Sequence, residues 1–396
     1  LDFFNAIYGR MDTEIGLAVD NMPGMASPIA PWLKRVGEFK QAVGLPVFHA
    51  ARIADIATAR HAIREGLLDM VAMTRAHIAD PNIVAKLEAG QEDRIRPCVG
   101  ATHCQSQYRP HCLHNPATGR EASLPQTVAR SDRPGRKVVV VGGGPAGLEA
   151  ARVSAERGHE VVLFEAADRL GGQVLLATRA SWRKDLAGLV EWRQRELERL
   201  GATLRLNTYA ARGDVLAEKP DVVIVATGGV PDLDWIDGAE HVTSVWEAIG
   251  GEKPLAAEIV VYDGTGRHPA PQAAELALAQ GRRVRYVVDL PVDRHGQAAL
   301  EQRRQLGLVL AQAGEELVDV RRLHLELPLA AGGRLERPRE PDLDHQPRLV
   351  VAAPSIAFST RGGDIGRWVR RTPAAFDTAL AMAASGGTIE VSPTPR

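Results

Sequence analysis

The sequence KVVVVGGGPAG, which runs from Lys137 to Gly147, decides the fold of much of this chain. Its first half, Lys137–Val141, is an apolar run that predicts a buried β-strand. A glycine-rich turn follows, then Leu148–Arg157 predicts a helix and Val161–Glu165 predicts a second strand. A strand, a tight turn, a helix and a parallel strand form a βαβ unit, so the sequence predicts an α/β domain in this region.

The turn has the glycine spacing G-x-G-x-x-G of Rossmann-like dinucleotide-binding domains. There the first glycine permits a tight turn, the second lets the backbone approach a pyrophosphate, and the third lets the helix pack closely on the strand. The pyrophosphate lies at the helix N-terminus, and an acidic residue at the end of the second strand bonds the ribose hydroxyls. A glycine-rich turn that binds nothing is the alternative. The predicted nucleotide-binding residues of this unit are Gly142, Gly144, Pro145, Ala146, Gly147 and Glu165.

Two later segments favour a flavin nucleotide. Arg169–Gln173 (RLGGQ) follows the acidic residue, and Ala226–Gly229 (ATGG) closes a strand predicted over Asp221–Ala226. Both segments resemble those of the glutathione-reductase-like flavoprotein domain. On this resemblance Gln173, Thr227 and Gly228 join the predicted cofactor-binding residues.

A second βαβ unit is predicted within residues 230–290. It consists of a strand at Glu258–Tyr262, a helix at Gln272–Gln280 and a strand at Arg283–Val288. Pro269 stands where a third glycine of the nucleotide-binding pattern would be expected. The unit is therefore interpreted as an embedded second nucleotide lobe, and a purely structural lobe and one that binds NAD(P)H both remain open.

Residues 1–95 alternate predicted strands and helices. The strands are Pro46–Ala51 and Asp69–Met73, and the helices are Asp55–Glu65 and a segment from Asp80 to Glu88 that an acidic N-cap begins. This βαβα rhythm predicts parallel strands with crossover helices. The chain opens at Leu1 in what resembles the middle of a domain, so we expect the C-terminal part of a TIM (β/α)8 barrel whose N-terminal part is missing.

Two arginines follow the two predicted strands of this region. Ala51 ends the first predicted strand and Arg52 follows it, and Thr74 and Arg75 come after the second. If these are the last two strands of a barrel, the arginines lie where such barrels bind phosphate. Guanidinium groups hold a phosphate dianion through charge-assisted hydrogen bonds. These four residues are the predicted phosphate site, and two solvated surface charges are the alternative.

The chain contains only three cysteines, and all lie in a proline-rich, irregular connector predicted over residues 96–136. Clustered thiolates in a reducing compartment indicate metal or redox chemistry, and they are the ligands of iron–sulfur clusters. Three thiolates are one short of a conventional [4Fe–4S] set, and His103, His114 or water could complete it. A connector that has lost its cluster, or a zinc site, is the alternative. The predicted metal ligands are Cys98, Cys104 and Cys112.

The composition is that of an ordinary globular protein. The chain has 396 residues, of which 45% are hydrophobic and 24% are charged, and its formal net charge is −1. Nothing in this balance indicates a nucleic-acid partner. No apolar run reaches the roughly 18 residues of a membrane helix, and no secretory signal is present, so we expect no membrane association and a cytoplasmic protein.

The segments together resemble the trimethylamine dehydrogenase and 2,4-dienoyl-CoA reductase group of the old-yellow-enzyme (NADH:flavin oxidoreductase) superfamily. The resemblance is closest to N-methylproline demethylase-like proteins. It covers about residues 1–288, and Ala101 departs from it because trimethylamine dehydrogenase has a second cysteine there. The segments that carry it are Gly44–Ile53 (GLPVFHAARI), Met73–Pro81 (MTRAHIADP), Arg96–Gly100 (RPCVG), His114–Glu121 (HNPATGRE) and Gly142–Ala151 (GGGPAGLEAA).

The resemblance implies an FMN-binding barrel over residues 1–95, an iron–sulfur connector over 96–136, and an FAD/NAD(P)-type two-lobed domain over 137–396 with an atypical tail from about residue 289. Arg52 and Arg75 would hold the FMN phosphate, the three cysteines a [4Fe–4S] cluster, and the glycine turn FAD or ADP.

The implied reaction is oxidative N-demethylation of a small-molecule substrate. Hydride leaves an N-methyl carbon for FMN, the iminium product hydrolyses to formaldehyde, and electrons pass through the cluster to the nucleotide domain or to an electron-transfer flavoprotein. An NAD(P)H-dependent enoyl or dienoyl reductase, and a truncated inactive nucleotide-binding fragment, are the alternatives. A homo-oligomer is left open.

Overall fold

The computed structural model describes residues 1–288 with gaps at 11, 14–15, 106–109, 232, 234–240 and 265–266, and two further strands at 319–321 and 348–352. The described residues fall into two compact units, one within Leu1–Thr227 and one that begins at Gly228. Within the described ranges, no helix combines the length and the apolar character needed to cross a bilayer.

The first unit begins with a three-stranded parallel sheet in the order β1-β2-β3. The strands are β1 (Phe4–Asn5), β2 (Val47–His49) and β3 (Met70–Val71). The helices of this region are α1 (Leu33–Ala42), α2 (Ile56–Arg64), α3 (Thr74–Ala79) and α4 (Ile83–Glu88). Fully buried Val36, Val47 and Ala62 form its core. The predicted alternation of parallel strands and helices is confirmed.

The strand predicted over Asp69–Met73 is limited to Met70–Val71, and two further boundaries in this region differ from the prediction. The strand predicted to reach Ala51 ends at His49, because Ala51 and Arg52 adopt positive φ values of 141° and 50° that no strand accommodates. The helix predicted from Asp80 begins at Ile83 instead, so the prediction of an acidic N-cap there is wrong. The buried Asp80 carboxylate holds the turn that precedes the helix: Oδ1 accepts a hydrogen bond from the Asn82 N–H at 3.0 Å, and Oδ2 accepts bonds from Lys86 Nζ at 2.6 Å and the Arg96 N–H at 2.8 Å.

Residues 96–136 join this region to a second sheet. Along the described part of the connector, the one regular element is the 3-10 turn His103–Gln105. The connector then enters the strand that precedes the glycine turn.

The second sheet of the first unit has four parallel strands in the order β6-β5-β4-β7. The strands are β4 (Lys137–Val141), β5 (Glu160–Phe164), β6 (Thr203–Arg205) and β7 (Val222–Val225). The helices are α5 (Pro145–Glu156), α6 (Gln173–Ala177), α7 (Ala187–Arg199) and α8 (Arg212–Ala217). The chain moves outward from β4 to β6 and then returns to the other side of β4. The strand order therefore reverses at β4, where ligands of open α/β sheets bind.

The valines of β4 explain why this strand occupies the centre of the sheet. Val138 and Val140 pack with Leu148 and Ala151 of α5, whereas Val139 packs on the opposite face. A strand buried on both faces is apolar at every position, which is why its sequence is a continuous valine run. The predicted βαβ unit is confirmed.

The second unit contains a five-stranded parallel sheet in the order β11-β10-β9-β12-β8. Its strands are β8 (Val242–Ser244), β9 (Glu258–Asp263), β10 (Arg283–Val288), β11 (Asp319–Arg321) and β12 (Arg348–Ala352). Its helices are α9 (Val245–Gly250) and α10 (Pro269–Ala279). The strand–helix–strand pattern predicted around Glu258–Val288 is confirmed, with Pro269 as the first residue of α10. Apart from β11 and β12, the tail predicted to be atypical lies outside the described residues.

Candidate functional site

In the glycine turn after β4, the first and third glycines are packed too closely against backbone atoms to carry a side chain. Gly142 has a φ of 107°, and a Cβ atom there would lie 2.3 Å from the Ala226 carbonyl oxygen. A Cβ atom at Gly147 would lie 1.8 Å from the Gly142 carbonyl oxygen. The same atom at Gly144 would meet nothing within 4 Å. The first and third glycines therefore let α5 pack on the turn, and the second borders open space.

The open space lies at the N-terminus of α5. Gly144 is the N-cap residue, and Pro145 is the first helical residue, where a missing N–H costs nothing. Ala146 and Gly147 follow in the first turn, where backbone N–H groups have no partner within the helix. These groups and the helix dipole attract an anion, so the residues present fit a pyrophosphate.

The Glu165 carboxylate is fixed beside this turn. Its Oε2 accepts a hydrogen bond from the Gly143 N–H at 2.7 Å, and its Oε1 accepts one from the Ala167 N–H at 2.9 Å. Each oxygen retains a further lone pair that can accept a hydrogen bond from a ribose hydroxyl. Gly143 was not among the predicted site residues. A Cβ atom there would lie 2.8 Å from Glu165 Oε2, so the run of three glycines was the signal that could have found it.

Two other predicted residues, Gln173 and Thr227, follow segments of the first unit that contact the turn. The Gly171 N–H donates to the Gly143 carbonyl at 2.8 Å, which holds the loop before Gln173 against the turn. Thr227 follows Ala226, whose N–H donates to the Val141 carbonyl at 2.8 Å. Gly228, with a φ of 75°, is the first residue of the second unit.

The four predicted phosphate-site residues line one cavity of about 180 Å³ beyond the ends of β2 and β3. Its walls include the segments 50–54 and 72–76 together with Cys98, Gly100 and Gln105. The structure thus brings Ala51, Arg52, Thr74 and Arg75 to one place, and it adds a cysteine of the connector to the same cavity.

Both arginines of the cavity donate some of their N–H groups in hydrogen bonds to the protein and leave one nitrogen without a partner. Arg52 is 7% exposed, which contradicts the alternative of a solvated charge. Its Nη1 donates to the Gly24 carbonyl and its Nη2 to the Asp185 carboxylate, while Arg75 Nη2 donates to the Pro23 carbonyl at 2.9 Å. Arg52 Nε and Arg75 Nη1 are buried without a hydrogen-bond partner. Because an unsatisfied buried donor is costly, this cavity fits a phosphate that would accept both hydrogen bonds.

Neighbouring charged side chains change the pKa of Arg52. Burial lowers the pKa of the Arg52 guanidinium; Asp185 opposes this shift, and the charge of Arg75 adds to it. Asp185 precedes α7, and 133 positions separate it from Arg52. Sequence reasoning missed Asp185, because no local pattern indicates a partner so distant along the chain.

The three cysteines are free and half-buried. Burial raises the pKa of Cys104, and the neighbouring thiols of Cys98 and Cys112 raise it further, while Arg75 lowers it. Of the three, Cys98 also lines the cavity that contains Arg52 and Arg75. Among the described residues, no three His, Cys, Asp or Glu side chains form a ready site for a metal ion. With three cysteines in the chain, the residues do not make a complete four-thiolate set.

The two histidines considered as fourth ligands, His114 and His103, lie in different surroundings. His114 is 1% exposed, with its Nδ1 at 2.9 Å from the Pro97 carbonyl oxygen and its ring packed edge-on against Trp192 at 5.0 Å. His103 lies in the 3-10 turn, with its ring 6.4 Å from that of His111.

A buried network of charges joins α5 and α7. Glu149 accepts hydrogen bonds from Arg152 and Arg193, and the Trp192 indole lies under the guanidinium groups of Arg96 at 4.7 Å and Arg152 at 5.4 Å. Burial alone would raise the pKa of Glu149, but the Arg152 hydrogen bond and the surrounding positive charges lower it to about 2. The network fixes the helix that begins at the glycine turn.

Comparisons with known proteins agree with this architecture. A family model described as an NAD(P)-binding Rossmann-like domain matches residues 140–195, which include the glycine turn. The chain is 57% identical over 274 residues to the multifunctional alkene reductase/demethylase OYE of Caballeronia cordobensis, a match that covers 69% of this chain and 40% of that protein. It is 47% identical over 290 residues to a protein named "Probable N-methylproline demethylase" of Rhizobium meliloti (strain 1021), with 72% of this chain and 42% of that protein covered.

Among solved structures, a 2-naphthoyl-CoA reductase in complex with 2-naphthoyl-CoA is similar, with a TM-score of 0.64 and 30% sequence identity. That match covers 72% of this chain and 44% of the other. The chain thus spans about two fifths of the length of the curated relatives it matches. The parallel sheets, the glycine turn and the family match define the class of α/β proteins with a Rossmann-like nucleotide-binding domain, and the relatives carry the names of reductases and demethylases. The names of its relatives are consistent with the trimethylamine dehydrogenase and 2,4-dienoyl-CoA reductase group of the old-yellow-enzyme superfamily, which the chain resembles.

Proposed function

We propose that this chain is part of a flavin-dependent oxidoreductase that oxidatively demethylates a small N-methylated amine or amino acid, such as N-methylproline. The observation that carries the proposal is the cavity beyond β2 and β3, which is lined by Arg52 and Arg75, each with one buried donor nitrogen that has no partner. The same compact unit carries the glycine turn with Glu165. Two phosphate-binding features in one unit suit an enzyme that holds two nucleotide cofactors.

In this proposal the cavity belongs to an FMN-binding barrel and takes the FMN phosphate. Arg52 and Arg75 hold the phosphate through their free N–H groups, and Ala51 and Thr74 border it from the two strand ends. Bound FMN supplies the hydride acceptor for the N-methyl carbon. The role of these residues is to bind and orient, because two fixed guanidinium groups set the position of the whole cofactor.

The glycine turn takes FAD or ADP. The N–H groups at the start of α5 bind the pyrophosphate, Glu165 binds the ribose hydroxyls, and Gln173, Thr227 and Gly228 complete the surroundings of the cofactor. We propose further that Cys98, Cys104 and Cys112 hold an iron–sulfur cluster. Because the set is one thiolate short, no step of the reaction is assigned to it. Cytoplasmic location and an electron-transfer flavoprotein as acceptor belong to the same proposal.

The names of the relatives support two reaction classes. One relative is named an N-methylproline demethylase, and another is named both an alkene reductase and a demethylase. An NAD(P)H-dependent alkene reductase is therefore the second candidate function. The two candidates predict opposite directions of electron flow, which makes them separable by experiment.

Two measurements on the 396-residue chain test the proposal. Heat release and chromatography of bound nucleotides should yield FMN together with FAD or ADP. Anaerobic addition of N-methylproline should then bleach the flavin absorbance, whereas NAD(P)H should not. Bleaching by NAD(P)H alone would identify the reductase. A chain that binds an adenine nucleotide but no FMN, and that bleaches with neither reagent, would be the inactive fragment and would overturn the proposal.

A further inference from the structure

Arg52 forms an ion pair with Asp185, which lies in the turn that leads into α7. The pair joins the end of β2 to the dinucleotide-binding part of the same unit. The Arg52 side chain is 4% exposed and that of Asp185 is 43% exposed. The contact thus has a buried cation on one side and a carboxylate with access to solvent on the other.

The guanidinium of Arg52 has a limited number of donors. Nη1 donates to the Gly24 carbonyl, Nη2 donates to Asp185, and Nε is buried without a partner. A phosphate binds an arginine most strongly when two N–H groups on one edge of the guanidinium donate to it together. Nε and Nη2 form such an edge. The free donor therefore lies beside a donor that Asp185 already occupies.

The partners of Arg52 differ in their ability to move. The Gly24 partner is a backbone carbonyl, whereas Asp185 is a half-exposed side chain. The turn around Asp185 is itself anchored, because the adjoining Leu186 is buried against Val99 and Leu189. A ligand that takes the Nε–Nη2 edge can therefore displace the Asp185 side chain into solvent without moving the backbone that carries it.

We propose that Asp185 competes with the phosphate dianion for Arg52 and leaves this arginine when phosphate binds. The cavity then exchanges one anion for another, and its occupancy decides whether the end of β2 is bonded to the turn before α7. Asp185 is a gating residue in this scheme and contacts no reacting atom. The inference rests on the proposed function, because it requires that the cavity binds a phosphate group.

The test is a calorimetric titration of the 396-residue chain with inorganic phosphate and, separately, with FMN. Asp185→Asn removes the competing charge, so its affinity for both ligands should rise about three- to tenfold, in the range of half-buried charge pairs. Asp168→Asn is the matched control, because Asp168 is an exposed carboxylate of the same unit, and it should bind like the unchanged chain. Arg52→Gln should lose affinity for both ligands.

Each outcome separates the inference from the proposed function. Failure of the unchanged chain to bind either ligand would remove the phosphate site itself. Binding that Arg52→Gln abolishes, but that Asp185→Asn leaves unchanged or weakens, would remove the competition alone. A thermal-shift series guards against loss of folding: without ligand Asp185→Asn should melt at a lower temperature than the unchanged chain, and saturating phosphate should raise its melting temperature by the larger amount. Equal phosphate shifts in the two proteins would contradict the exchange.

Discussion

Glu165 Oε2 accepts a hydrogen bond of 2.7 Å from the N–H of Gly143, so the acid at the end of β5 and the middle of the glycine turn form one rigid group. The bond fixes the carboxylate before any ligand arrives. A site that is already ordered loses little entropy on binding, which favours tight association.

Replacement of Glu165 by Gln should weaken the binding of FAD or ADP. The amide has the same shape but lacks the negative charge, so hydrogen bonds worth about 1–2 kcal/mol are lost, which is roughly tenfold in affinity. Equilibrium titration with ADP measures the change. Glu160→Gln is the control, because Glu160 lies on the same strand with a largely exposed side chain. Equal losses in the two variants would contradict a specific role for Glu165.

Two alanine substitutions in the glycine turn should separate folding from binding. In Gly147→Ala the new Cβ lies 1.8 Å from the Gly142 carbonyl oxygen, so we expect a loss of about 3 kcal/mol in the free energy of unfolding. In Gly144→Ala the Cβ meets nothing within 4 Å, so the fold should keep its stability while ADP affinity falls. Urea denaturation and ADP titration measure the two effects. Similar stability in both variants would contradict the close packing at Gly147.

Arg75→Gln should lower the affinity of the chain for FMN by about ten- to a hundredfold, the range of a charge-assisted hydrogen bond to phosphate. Arg75→Lys keeps the charge but loses the geometry of the guanidinium, so its affinity should be intermediate. Quenching of FMN fluorescence on binding is the measurement. Arg64→Gln is the control, because that arginine is exposed on α2. An unaffected Arg75→Gln variant would remove FMN from this cavity.

The buried Glu149 should make the stability of the first unit depend on acid. Its pKa is about 2 in the folded chain against 4.5 when unfolded, so the stabilisation is complete above pH 4.5 and is lost as the pH falls toward 2. Of the full stabilisation of about 3 kcal/mol, about 2 kcal/mol should be lost between pH 6 and pH 3. Denaturant titrations at pH 6 and pH 3 measure it. Glu149→Gln should flatten this dependence, whereas Glu191→Gln, on the exposed side of α7, should retain it.

Ala101→Cys should raise the iron and sulfide retained after anaerobic reconstitution, because it supplies the fourth thiolate that the cysteine set lacks. Ala101 lies in the same connector as the three cysteines and is half-buried. Ala117→Cys is the control, because it adds a thiol to the same connector at a buried position. Equal iron contents in the two variants would contradict a cluster site at these cysteines.

Local patterns made the βαβ units predictable. The valine run of β4, the glycine turn and the helix after it are adjacent in sequence, and each carries its own signal. The helix α7 escaped prediction although it is 13 residues long, because its buried face includes Arg193 and Glu196 as well as apolar residues. In a sequence, charged residues that are buried as ion pairs cannot be distinguished from charged residues on a solvent-exposed helix face.

The candidate site was predictable only in part for the same reason. The positions of Arg52 and Arg75 after two parallel strands followed from strand order, since carboxyl ends of parallel strands meet at one edge of a sheet. The partner of Arg52 could not be foreseen, because Asp185 comes from another sheet region of the unit. Long-range ion pairs depend on how distant segments pack together, and the spacing of residues in the sequence does not predict that packing.

The buried Trp192 has a consequence for the order in which this protein folds. Its indole N–H donates to the Arg94 carbonyl at 3.0 Å, across 98 positions of the chain. Contacts between such distant positions form slowly, and a ribosome releases Arg94 well before Trp192. The nucleotide-binding region therefore completes its packing on a segment, just before the connector, that has already emerged. During synthesis α7 is therefore expected to pack against the part of the chain that was synthesised before it.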